Sequence, residues 1–181
     1  AHLMPPFMGQ GMCAGIRDVS NLAWKINKCL RDKHNDKFLN SYQSERFSNV
    51  KEYIETTMRM GVFVNAVEST QITKNISSNE DGTKSMQSIK PKLGRGLGKI
   101  NDKNRGKIFP QLKMKRGGLF DFKFSGSPIL IFSSKFNMKK KLYKVQSINE
   151  NEVKGLCSLM KSYNAKILIV RPDRFILQSS N

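Results

Sequence analysis

The stretch Pro5-Pro6-Phe7-Met8-Gly9-Gln10-Gly11 feeds directly into an amphipathic run, and this junction constrains the chain more than any other feature. Proline fixes φ, and Pro6 biases Pro5 away from the helical region, so the backbone enters extended. Gly9 and Gly11 carry no Cβ, which allows positive φ or close approach of a flat ligand to the backbone. A helix starting just after them presents unpaired N–H groups and the positive end of its dipole. Extended prolines, glycines and a bare helix N-terminus together form an anion site made of backbone. The alternative at this level is a tight loop entering a core helix.

Downstream, Met12, Ile16, Val19, Leu22, Ala23, Ile26, Cys29 and Leu30 recur at helical spacing, predicting one buried face from Met12 to about Lys33. Asn35-Asp36 supplies a turn, with His34 solvated beside it. A second helix follows from about Lys37 to Ala66, with a kink expected at 46–49. Phe38, Leu39, Tyr42, Phe47, Val50, Tyr53, Ile54, Met58 and Val62 are its expected apolar set. Both helices are amphipathic and need further chain to pack on.

Residues 67–118 have little periodicity and many breakers, and read as a basic loop or linker. From Leu119 a small α/β layout is expected. Its elements are strands at 119–124, 128–134, 166–170 and 174–178, and a helix within 149–165 with Glu150 and Glu152 in its first turn. Arg171-Pro172-Asp173 forms the turn between the last two strands. The layout resembles the second half of a thioredoxin fold, without a redox CxxC.

The formal charge is +18, and residues 84–116 hold eleven Lys/Arg against a single acid, Asp102. Nucleic acid could be held by such a segment through phosphate contacts. Its one aromatic, Phe109, provides no stacking platform, so a solvated basic connector is the better reading and nucleic acid is not expected as partner. No apolar run approaches the ~20 residues that span a bilayer, so no membrane is expected. Cys13, Cys29 and Cys157 are odd in number and widely spaced. They favour neither a disulfide scaffold nor a metal site and point to a reducing cytoplasm.

The segment AHLMPPFMGQGMCAGIRDVSNLAWKI resembles the second FAD-binding motif of class A flavoprotein aromatic hydroxylases, the group of para-hydroxybenzoate hydroxylase. The family pattern is approximately GDAAHxxPPxxGQGxxxGxxDxxNLAWKL. It is met at Ala1, His2, Pro5, Pro6, Gly9, Gln10, Gly11, Gly15, Asp18, Asn21, Leu22, Ala23, Trp24 and Lys25. Residues 41–61 and 91–111 resemble the hydroxyphenylpropionate/hydroxycinnamate hydroxylase branch, and 165–177 resembles the end of its thioredoxin-like domain.

The resemblance implies an α/β fold in three parts. Residues 1–66 would be the C-terminal helical part of a para-hydroxybenzoate hydroxylase-like FAD-binding domain. Residues 67–118 would be the basic linker, and 119–181 a small degenerate thioredoxin-like domain. It also implies a C-terminal fragment of an enzyme whose Gly-Asp and dinucleotide GxGxxG lie upstream. The implied activity is hydroxylation of a phenolic aromatic acid with FAD, NAD(P)H and O₂.

Pro6 would be the catalytic contact through its carbonyl. Pro6, Gly9, Gln10, Gly11, Met12 and Cys13 would contact the flavin, and no metal is implied. Implied partners are a phenolic substrate, the upstream remainder of the same chain and a second copy in a homodimer. Many relatives carry Asn where Cys13 stands, so the main-chain role survives there while a side-chain contact does not. His2 is read as structural because the local sequence gives it no paired carboxylate. Asp18 and Lys25 are read as polar anchors and Trp24 as core. Other readings are a flavin hydroxylase of quinone or polyketide type, or a basic nucleic-acid-binding or scaffold protein.

Overall fold

The computed structural model describes residues 2–32, 36–65, 76–78, 84–86, 89–123, 128–132, 146–149 and 151–180. Ala1, His34, Asn35 and Glu150 lie outside them, so the Asn35 turn, the solvated His34 and the Glu150 dipole contact are not described.

A 3₁₀ turn, Pro6–Met8, leads into helix α1, Gly11–Asp32, which pairs with helix α2, Asp36–Asn65. α2 runs unbroken through 46–49, where a kink is expected. The expected burial of α1 is reversed. Met12, Ile16, Val19, Ile26 and Leu30 are exposed, and Ala23 with them. The buried face is instead Ala14, Asp18, Asn21, Trp24 and Lys25.

α2 behaves alike. Val50 and Tyr53 are buried, but Phe47, Met58 and Val62 are exposed, while Glu45, Arg46, Asn49, Thr56 and Thr57 turn inward. Periodicity reports a helix but not which stripe meets which neighbour. Between these two helices the polar stripes meet, because each buried charge finds an opposite partner on the other helix.

Strands β1, Ile76–Ser78, and β2, Lys84–Met86, pair antiparallel inside the stretch read as linker. Residues 89–118 are mostly irregular, as expected, but they are packed rather than solvated. Leu93 and Phe109 are buried, and Gly94 N–H donates to the Glu45 carbonyl at 2.9 Å. A Cβ at Gly94 would lie 2.2 Å from the Ser44 carbonyl oxygen, so glycine permits this close approach to α2. Further on, Phe109 N–H donates to the Arg174 carbonyl and Ile176 N–H to that of Lys107, tying the segment to the last strand.

The C-terminal unit is a four-stranded sheet of β3 (Ile129–Phe132), β4 (Gln146–Asn149), β5 (Ile167–Val170) and β6 (Ile176–Ser180), in the order β4-β3-β5-β6. β3 and β4 are parallel, and β5 pairs antiparallel with both β3 and β6. Leu168 and Val170 alternate inward along β5, and helix α3, Leu156–Ser162, lays Leu156 and Met160 on the same core. Phe109, Phe120, Ile129, Ile131, Ile148, Val153 and Ile176 complete that core.

Two expectations are corrected here, and one strand went unread. Phe120–Lys123 is a 3₁₀ turn instead of a strand. α3 starts after Gly155, so Glu152 precedes the helix instead of complementing its dipole. β4 carries no alternating apolar pattern and is absent from the sequence reading.

Candidate functional site

Pro5 (φ −59°, ψ 148°) delivers the chain extended into the 3₁₀ turn, and Gly9 ends it in the left-handed region at φ 59°. That conformation is where glycine is at no steric disadvantage. Gly9 N–H donates to the Pro6 carbonyl at 2.9 Å. One lone pair of the implied catalytic carbonyl is therefore used within the loop and the second remains.

The first helical bond runs from Ala14 N–H to Gln10 C=O at 2.8 Å. The amides of Gly11, Met12 and Cys13 thus precede the helical ladder, as the first turn of any helix requires. Pro6, Gly9, Gly11 and Met12 are exposed, and Gln10 and Cys13 half-buried. A Cβ at Gly11 would meet nothing within 4 Å. Amides without helical acceptors at a helix N-terminus suit an anionic group. All six implied contact residues lie together in this one loop-helix junction.

Two buried networks hold the junction. In the first, Asp18 accepts from the His2 backbone N–H at 3.0 Å, from its ring Nδ1 at 3.1 Å and from Arg46 Nε at 2.7 Å. His2 therefore has a carboxylate partner after all, one supplied by the fold across sixteen residues. It remains a structural anchor, tying the entering segment to α1. Arg46 continues to Asn49 Oδ1 at 2.5 Å, and Asn49 Nδ2 donates to the Pro91 carbonyl at 2.6 Å.

The second network joins both helices to the β5–β6 turn. Arg171 Nη1 and Nη2 each donate at 2.9 Å to the two carboxylate oxygens of Glu45. Lys25 Nζ donates to Glu45 Oε2 at 2.8 Å, and Leu97 N–H to Oε1 at 2.8 Å. Asp173 accepts from Arg171 Nη2 at 2.6 Å and from Asn21 Nδ2 at 2.8 Å. The Arg171 guanidinium also lies 5.0 Å from the Trp24 ring centroid. Two cations and two anions thus neutralise one another where water is excluded. Lys25 and Asp18 are anchors, as expected. Glu45, Arg46 and Arg171 went unread; the signal was a charged pair in SYQSER on the stripe carrying Ser41 and Asn49.

Burial pushes the Glu45 carboxyl up, but the charge and hydrogen bonds of Arg171, then of Lys25, outweigh it and leave it below the ordinary 4.5. Asp18 follows the same balance: burial raises it, and Arg46 and His2 bring it below 3.8. Asp102 is half-buried beside Ser179, and hydrogen bonds from the Ser179 hydroxyl and from the backbone N–H groups of Asn104 and Ser179 outweigh the desolvation and lower it too. Each of these folded carboxyls binds its proton less readily than the unfolded one. Their stabilisation is therefore complete above the ordinary carboxylate values and is lost as pH falls through the lowered ones. The urea midpoint is expected to hold down to about pH 4.5 and to fall steeply below it, with a shallower fall in Glu45→Gln. An equal acid slope in both proteins would refute the assignment of that loss to Glu45.

Among the described residues no helix is long and apolar enough to cross a membrane. Residues 1–57 match the family model for an FAD binding domain. A probable NADH-specific resorcinol 4-hydroxylase of Rhodococcus jostii is 36% identical over 115 residues, covering 61% of this chain and 21% of that protein. A 3-(3-hydroxyphenyl)propionate/3-hydroxycinnamic acid hydroxylase of Burkholderia vietnamiensis is 42% identical over 64 residues, 35% of this chain and 12% of that one. The chain thus spans about a fifth or less of the length of these relatives.

Among solved structures, the rebeccamycin biosynthetic enzyme RebC with reduced flavin superposes with a TM-score of 0.65 at 14% identity, over 99% of this chain and 40% of that one. Aklavinone-11 hydroxylase with FAD and aklavinone gives 0.59 at 14%, over 98% and 38%. These two share the fold. Across the segment that forms the loop-helix junction the chain is similar to the class A FAD-dependent aromatic hydroxylases, with residues 1–57 matching the FAD binding domain.

Proposed function

We propose that this chain is the flavin-facing and C-terminal portion of an FAD-dependent monooxygenase that hydroxylates a phenolic aromatic acid with NAD(P)H and O₂. The observation that carries the reading is the Pro5–Cys13 junction, whose Gly11–Cys13 amides precede the helical ladder within the segment matched to an FAD binding domain. The division into residues 1–66, 67–118 and 119–181 belongs to the same proposal. So does a thioredoxin-like reading of the last part, supported by a parallel strand pair extended by an antiparallel hairpin. The upstream remainder of the chain would cover the exposed stripe of α1, a homodimer is compatible with the reading, and the free cysteines suit the cytoplasm.

FAD, when bound, supplies the redox and oxygen chemistry. The chain's share is position and electrostatics. Gly9, Gln10 and Gly11 would form the loop beneath the ring system, held in register by the left-handed turn at Gly9. The amides of Met12 and Cys13 would donate to negative charge on the pyrimidine edge, acting as preorganised oxyanion donors do. The free lone pair of the Pro6 carbonyl would accept a hydrogen bond at the substrate side. His2, Asp18 and Arg46 keep the loop from moving while these contacts are made.

The test is a polypeptide read from the coding DNA upstream of Ala1 through to Asn181. It is expected to purify yellow with FAD and to oxidise NAD(P)H faster when 3-(3-hydroxyphenyl)propionate or resorcinol is added. Gly11→Val, whose side chain would fill the open space, is expected to lower FAD retention at least tenfold. A stop codon directly before Ala1, or a longer polypeptide that takes up no FAD, would overturn the proposal. Stimulation by a polycyclic phenol alone would move the substrate class to the polyketide branch.

A further inference from the structure

A cavity of about 310 Å³ opens between the start of α1, the middle of α2 and the C-terminal unit. Met8, Cys13, Tyr53, Ile108 and Phe175 supply apolar walls, and Arg17 and Lys90 supply the charge. No carboxylate is present among the described residues that line it. The Arg17 guanidinium lies over the Tyr53 ring, 5.1 Å from its centroid. Its Nη1 is buried and has no hydrogen-bond acceptor among the described residues. A buried donor on a cation with no acceptor carries an uncompensated desolvation cost, and an anion in the cavity would remove it. The volume sits at the lower end of the range for small-molecule sites.

We propose that this cavity binds the carboxylate of a single-ring aromatic acid, with Arg17 as its anchor, Lys90 as a second cation and the Tyr53–Phe175 side receiving the ring. The cavity shares Gln10 and Cys13 with the proposed flavin contacts, but Arg17, Tyr53, Lys90 and Phe175 are its own, and the proposal does not depend on the flavin reading. Two sources present this chemistry. One is a free aromatic acid. The other is an Asp or Glu side chain from a longer polypeptide, its stem lying against the same apolar wall.

Benzoate is the probe, titrated into the flavin-free 181-residue chain by calorimetry and followed by NMR. Saturable binding is expected, with nuclear Overhauser contacts from the benzoate ring to Tyr53 and Phe175. Acetate, which lacks the ring, and benzamide, which lacks the charge, are each expected to bind at least tenfold more weakly. Arg17→Met is expected to weaken benzoate at least tenfold and Lys90→Gln a few-fold. Lys154→Gln, which removes one exposed positive charge elsewhere, is expected to leave it unchanged and so controls for the overall positive charge.

Absence of saturable binding to the wild-type chain would overturn the proposal. Equal weakening by Lys154→Gln, or absence of the Tyr53 and Phe175 contacts, would do so as well. The wild-type contacts keep the test valid should Arg17→Met misfold. Binding by the short chain and not by a longer polypeptide assigns the carboxylate to a built-in side chain. Binding by both assigns it to a free acid. A longer polypeptide that holds FAD but, like the chain, ignores benzoate would refute this site and leave the flavin proposal standing.

Discussion

Arg171→Ala is expected to cost the chain about 3–5 kcal/mol, the range for removing one partner of a buried ion pair. The substitution strips the guanidinium that donates to both oxygens of Glu45 and both of Asp173, at a place where Arg171 and Glu45 are almost wholly buried. Lys25 and Asn21 remain, but they cannot replace a bidentate donor, and two carboxylates are left sharing one ammonium. A domain whose total stability is about 5–15 kcal/mol would lose a large part of it.

Arg171→Lys is not a rescue, because a point charge cannot reproduce the planar fork. The double variant Arg171→Met/Glu45→Met leaves Lys25 and Asp173 to balance one another and is expected to lose less than the sum of the single changes. Urea unfolding followed by circular dichroism measures all three. A loss under about 1 kcal/mol in Arg171→Ala, the scale of an exposed ion pair, would show that water reaches the quartet.

The second large effect concerns the outer face of α1. Met12, Ile16, Val19, Ile26 and Leu30 form an exposed apolar stripe along one helix, the kind of patch that marks an interaction surface. The chain as described is expected to self-associate with rising concentration. Ile16→Glu/Val19→Glu is expected to suppress that association while changing its stability by no more than about 0.5 kcal/mol per site, as substitutions on an exposed surface do. In a longer polypeptide the same pair is expected to abolish FAD retention, because two carboxylates would be buried under the proposed upstream cover. Sedimentation velocity and flavin absorbance read the two halves. An Ile16→Glu/Val19→Glu polypeptide that still purified yellow would show that nothing covers the stripe.

These two expectations rest on opposite faces of the same helix, and the sequence made only one of them visible. The i, i+3, i+4 spacing identified α1 and α2, and the Pro-Gly punctuation located the junction that precedes them. Their inward stripes hold Asp18, Lys25, Glu45 and Arg46, which hydropathy assigns to solvent. Burial of such groups pays only when opposite charges meet, and the partners stand 20 to 126 residues apart. No local pattern carries that information. The same limit hid β4, a parallel strand defined by its neighbour Ile129–Phe132 and by no alternation of its own.

What the sequence by itself determined is the chemistry of the junction. Pro5 and Pro6 restrict φ whatever surrounds them, Gly9 takes the left-handed turn without steric cost, and a helix beginning at Gly11 must leave its first amides without helical acceptors. Those are properties of single residues and of one turn of backbone. The tertiary structure alone decided which helical face is buried, where His2 finds its carboxylate, and how the Arg171 turn locks the C-terminal sheet onto α1 and α2. The physical reason is that desolvation and charge pairing depend on distances through space, which chain order does not encode locally.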